Sequence, residues 1–170
     1  MIARDARITP SLLQKYYPTK ESIVEAFVEN ASSELDRFFT YAQKTTASTA
    51  DTKLLLSKIA LSYVDFVHRM RGFYLTWVTS PELVLEYSPA LPDFISGAHQ
   101  FLANVLVARL GIEPDDALVR VRIFLGAIFA WVVYYNRVGV KAATGESKEK
   151  RVERLVSFVL RTGNGATLGN

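Results

Sequence analysis

The chain contains no cysteine, and that absence excludes disulfides, thiolate-held metals and cysteine nucleophiles together. It also fits a reducing cytosol. Histidine occurs only at His68 and His99. Their spacing matches no ligand motif and no acidic cluster accompanies them, so neither a metal nor another cofactor is expected. Long apolar runs are missing too. The longest, Ile123 to Tyr135, falls short of the ~20 residues that a membrane-spanning helix needs. The N-terminal MIARDARITP has no signal-peptide core. A cytoplasmic protein without a membrane partner is the expectation. Nucleophile elbow, glycine-rich phosphate loop and zinc signature are all absent, so an enzyme is not expected. Charge of one sign is scarce as well: 20 basic residues face 17 acidic ones, for a net of +3. That total is too mild to indicate nucleic-acid binding, so the distribution must carry the argument.

What is present is apolar and helical in its spacing. Of the 170 residues, 49% are hydrophobic, enough for a sizeable core. Ile23, Phe27, Ala31 and Leu35 recur at i+4 and predict a helix from about Lys20 to Thr45. The small, polar stretch KTTASTADT then reads as a loop, with Asp51 as cap of the next helix. Leu55, Ile59, Tyr63, Phe66, Val67 and Met70 mark that helix, closed near Gly72. Phe73 to Thr79 is short and aromatic, and a short helix between turns is expected from Pro81 to Pro92. Phe94 to Leu106 predicts another helix, stopped by Gly111 and Pro114. Pro114 opens a long helix to about Arg137, with Asp115 and Asp116 favoured at its N-terminal dipole. The linker KAATGES leads to a last amphipathic helix from about Lys148 to Leu160. No internal repeat or strand pair emerges, so the fold class is all-α.

The first residues carry a more specific pattern, IARDARITPSLLQKYYPTKE. Ile2, Ala3 and Ala6 suggest a short helix, Arg7 falls at a tight turn, and Thr9-Pro10 is a strong helix start. Leu12, Leu13 and Tyr16 supply apolar anchors before Tyr17-Pro18 breaks the helix and Thr19 caps the next. Two short helices across a tight turn are helix-turn-helix geometry. Up to Lys20, Arg4, Arg7, Lys15 and Lys20 stand against Asp5 alone, a local excess suited to a phosphate backbone. Ordinary solvated cations on surface helices would look the same.

This string resembles the TetR-family signature, with Ile2, Ala3, Ala6, Ile8, Thr9, Leu13, Tyr16, Tyr17, Pro18, Lys20 and Glu21 at matching or conservatively replaced positions. The resemblance covers about the first 27 residues. It implies a DNA-reading second helix in which Thr9 caps and touches phosphate, Pro10, Ser11 and Lys15 face bases or backbone, and Tyr16 and Lys20 contact the backbone. Gln14 replaces a usual tyrosine and either reads adenine or is solvated. Arg7 replaces the turn glycine, at a conformational cost. The family's first helix is absent from the sequence. The sequence is therefore expected to be a fragment, the alternatives being a misplaced start or a vestigial reading head.

Phe66, Phe73, Tyr74, Trp77, Phe94, His99, Phe101, Phe124 and Trp131 lie on the central helices. Most must be core. The resemblance implies a ligand cavity between helices, for which Phe66, Tyr74, Trp77, Phe94, His99 and Trp131 are the candidate lining, with His99 or Tyr74 as polar handle. The helix after Pro114 is apolar over more than one face, so it is either buried on all sides or part of a subunit interface. The resemblance implies a four-helix homodimer bundle, with Phe124, Ile128, Val132, Tyr135, Leu155 and Val159 at the interface.

The expected organisation is a partial helix-turn-helix head over residues 1–27, a TetR-type helical ligand-binding and dimerisation domain over 28–163, and a flexible tail over 164–170. The implied function is transcription regulation. A dimeric repressor would leave its double-stranded DNA operator on binding a small apolar or aromatic effector. The alternative is a helical ligand- or protein-binding module with a truncated or vestigial DNA-binding head.

Overall fold

A computed structural model of the chain describes residues 9–135 and 146–161. Among these residues every regular element is helical. The expected first short helix, the Arg7 turn, Gly139, the linker up to residue 145 and the tail lie outside the described residues.

Local capping explains where the helices begin. In α1 (Pro10–Tyr16) the Thr9 hydroxyl accepts a hydrogen bond from the Leu12 amide at 3.2 Å, and Pro18 then disfavours helical backbone at Tyr17. A reciprocal capping box starts α2 (Lys20–Ser48). Thr19 Oγ1 accepts from the Ser22 amide at 3.1 Å, and Ser22 Oγ accepts from the Thr19 amide at 3.3 Å. The Asp51 carboxylate accepts from the Leu54 amide at 2.6 Å and opens α3 (Thr52–Arg69). Next come α4 (Arg71–Thr79), α5 (Pro81–Tyr87) and α6 (Leu91–Leu110). Gly111 ends α6 at φ 64°, a left-handed cap that suits glycine. Pro114 begins α7 (Pro114–Ala130), which passes into a π-helical turn over Trp131–Tyr135. The last described helix is α8 (Lys148–Arg161).

Helix α3 is the hub, packed against α2, α4, α7 and α8. Leu55, Ile59, Ala60 and Val67 have no accessible surface, which commits both sides of α3 to the core. Facing them are Val28, Ala31, Leu35 and Ala42 of α2, and Val121, Phe124, Leu125 and Ile128 of α7. Val152, Val156 and Val159, at i, i+4 and i+7 of α8, complete the buried set.

Two arginines tie helix C-termini down, where carbonyls lack intrahelical partners and the dipole favours a cation. Arg109, at the end of α6, donates to the Thr46 carbonyl at 2.9 Å and to the Ala50 carbonyl at 3.0 Å. Buried Arg120 of α7 donates to the Val159 carbonyl at 3.2 Å and to Asp116 at 2.6 Å.

Several expectations are corrected. Residues 44–48 are helix rather than loop, because Thr45 is buried and Arg109 holds this end of α2. Gly72 lies inside α4; the break falls at Met70, whose backbone (φ −92°, ψ 10°) ends α3. α2 runs unbroken through residues 27 and 28. Of the anchors expected on α1, Leu12 and Tyr16 are exposed, since no described element covers that side of the helix. Phe124, Ile128, Val132 and Val159 were expected at a dimer face but are buried within the single chain, where α3 and α8 close over α7. Leu155 is partly buried against the same core. Tyr135 ends the π-helical turn. The surplus apolar surface of α7 lies instead at Val119 and Ile123, both about half exposed at 51% and 52%.

Candidate functional site

Helix α2 places Phe38 and Phe39 side by side in sequence, and each ring starts a different aromatic cluster. Phe38 packs on Tyr63 and Phe66 of α3, both at 5.3 Å between centroids. Phe66 continues edge-on to Tyr74 of α4 at 6.1 Å, and Tyr74 to Phe129 of α7 at 5.0 Å. Phe39 meets Phe94 and Phe101 of α6, at 5.7 and 5.3 Å. Tilted and edge-to-face pairs at these distances are favourable in themselves. A cavity of about 220 Å³ remains among the rings.

Its lining comes from α2, α3, α4, α6 and α7, and no aspartate or glutamate is part of it. Four residues bring polar side-chain groups: Tyr63, Tyr74, His99 and Arg122. The phenols of Tyr63 and Tyr74 interact with each other; burial pushes Tyr63 up to about 12 and raises Tyr74 as well, so both stay protonated. His99 sits lower than its ordinary 6.5, first because of burial and second because of the Arg122 charge. It is therefore a neutral imidazole at pH 7, able to donate one hydrogen bond and accept another. Arg122 and Gly126 are exposed while most of the lining is not, which places the mouth of the cavity beside them.

Of the six residues expected to line a pocket, Phe66, Tyr74, Phe94 and His99 do so. Trp77 and Trp131 do not. Trp77 packs edge-on against Phe73 at 5.9 Å, and Trp131 lies under the Arg151 guanidinium at 4.6 Å, a cation–π contact that fastens α8 to the π-helical turn. The lining that sequence reasoning missed is chiefly Phe38, Phe39, Tyr63, Phe129 and Arg122. For α2 a signal existed: Leu35, Phe38, Phe39 and Ala42 follow the i, i+3, i+4, i+7 pattern and continue the stripe that begins at Ile23. Arg122 had no signal of its own, since Arg120 two residues earlier stands in the same apolar stretch and is the one that is buried.

The residues expected to meet DNA are spread along α1 and the start of α2. Thr9, Ser11, Gln14, Lys15 and Tyr16 are exposed. The Thr9 hydroxyl is engaged as the helix cap and lies 3.1 Å from Ser11 Oγ. Pro10 and Lys20 occupy the first positions of α1 and α2. Among the described residues no group of three or more histidine, aspartate or glutamate side chains could hold a metal ion, and no helix is long and apolar enough to cross a membrane.

Comparison with protein-family models, with curated proteins and with solved structures gives no match.

Proposed function

We propose that this chain is a ligand-responsive, DNA-binding transcriptional regulator, a repressor whose helical body takes up one small, largely apolar molecule. The observation that carries the reading is the aromatic-walled cavity between α2, α3, α4, α6 and α7. An apolar cavity of ~150 Å³ admits benzene, so about 220 Å³ suits a single substituted ring or a short hydrocarbon chain. The lining contains no carboxylate and its phenols stay protonated, which leaves the neutral imidazole of His99 as its basic side chain.

The DNA-facing half of the proposal rests on the TetR-like N-terminal string and on the exposure of Thr9, Ser11, Gln14, Lys15 and Tyr16 along α1. A homodimer would present two such ends to a palindromic operator. Val119 and Ile123 on the outer side of α7 are the residues a second copy would cover. Regulation then requires that the effector bind the DNA-competent and released states with different affinity.

The test is a gel-shift titration against the DNA flanking the protein's own gene, with and without candidate aromatic effectors. Specific retardation relieved by an effector is the expected outcome; no specific retardation at any protein concentration would sink the DNA-binding half. A second reading, a ligand-binding helical module that does not read DNA, is favoured by one observation: Leu12 and Tyr16 of α1 are 42% and 68% exposed, so these two anchors do not fix its orientation. Effector binding by calorimetry without any DNA shift would select that reading.

A further inference from the structure

The cavity departs from apolar character at two places, and they are not alike. The phenols of Tyr63 and Tyr74 are neutral and raise no charge at that end, since burial keeps both protonated. At the mouth, His99 of α6 and Arg122 of α7 stand close enough for the guanidinium charge to disfavour protonation of the imidazole. Arg122, like Arg71, Arg109 and Arg161, forms no ion pair among the described residues, and of these four it alone lines the cavity. No acidic side chain lines the cavity to serve it. One turn further along α7, a Cβ built on Gly126 would meet nothing within 4 Å, so that part of the mouth is open.

A planar guanidinium matches a carboxylate through paired, charge-assisted hydrogen bonds, and these gain strength where water is partly excluded. A neutral imidazole alongside adds a donor without a second positive charge. Building on the ligand-cavity reading above, we propose that the cavity takes a small organic carboxylate whose apolar body lies among the aromatic rings and whose carboxylate is held by Arg122 and His99 at the mouth. The volume suits a body of roughly nine heavy atoms, scaled from the ~150 Å³ that holds benzene.

Isothermal titration calorimetry of the whole chain at pH 7 tests this with three probes that share one body: 3-phenylpropionate, its neutral amide and 3-phenylpropylamine. The carboxylate is expected to bind at least about tenfold more tightly than the amide, and the amine more weakly than either. Arg122→Gln is expected to bring the carboxylate down to the level of the amide while leaving the amide unchanged, which also shows that the cavity is intact. Equal affinity for carboxylate and amide, tighter binding of the amine, or a carboxylate preference that survives Arg122→Gln would overturn the proposal and leave the apolar cavity standing. Failure of all three probes to bind would overturn both.

Discussion

Helices α1 and α3 begin with the same device, a side-chain oxygen accepting from a backbone amide three residues on, yet they end up in opposite circumstances. All the described side chains of α1 are exposed, whereas seven of the 18 residues of α3 are buried. A cap decides where a helix starts, but packing of an apolar face decides whether it persists. At seven residues, α1 is well below the ~12–15 that an isolated helix needs to be even marginally stable in water. Among the described residues, the helix in the most specific sequence pattern is thus the one whose described side chains are all exposed.

Substitutions that are alike in chemistry but placed in the two regions would break or sharpen this contrast. The largest effect is expected from Phe66→Ala in α3, where a 2% exposed ring touches both Phe38 and Tyr74. It should cost about 3–5 kcal/mol in chemical denaturation. Leu12→Ala in α1 should stay within about 0.5 kcal/mol, and a comparable loss there would mean that α1 is packed after all. Arg109→Ala removes two hydrogen bonds to the end of α2 and should cost about 1–2 kcal/mol. Hydrogen exchange would register the change first in the last turn of α2.

The two caps provide the sharpest pairing. Asp51→Ala should lower global stability by about 1 kcal/mol, because α3 is the hub of the core. Thr9→Ala deletes an equivalent bond but should leave the melting temperature unchanged and only fray α1. The smallest effect expected is a pH dependence. His99 is held below 6.5 in the folded chain, so the unfolded chain binds the proton more readily between the folded value and 6.5. Stability should therefore rise with pH through that window and be lost as pH falls through it. His99→Gln should flatten this part of the profile; an unchanged slope would assign it to other groups.

What was legible in the sequence follows the same division. Caps and stops are local, so Thr9, Thr19, Asp51, Gly111 and Pro114 could be read directly, and each stands at a helix boundary. Residues 44–48 were misread because a string of small polar residues is weakly helical alone; Arg109, about sixty residues away in sequence, supplies what the string lacks. The cavity was half legible. Aromatic rings at helical spacing reveal that a face is buried, but not which neighbour meets it, so Trp77 and Trp131 carried the same signal as Phe66 and Tyr74. Likewise, the surplus apolar surface of α7 could be counted but not apportioned. Burial by α3 and α8 claimed Phe124, Ile128 and Val132 and left Val119 and Ile123 outside.

The grip of Arg109 on the end of α2 has a mechanical side. With 29 residues, α2 is a rod of about 43 Å. It is fastened at Thr46 by α6, a helix that also forms one wall of the cavity, while its far end carries Thr19 and α1. Because Val28, Ala31 and Leu35 also pack it on the core, α2 could only tilt as one rod, and about 5° about Thr46 would move its first turn by roughly 4 Å. In the regulator proposed above, a guest that shifted α6 slightly would act on a rod whose other end adjoins α1.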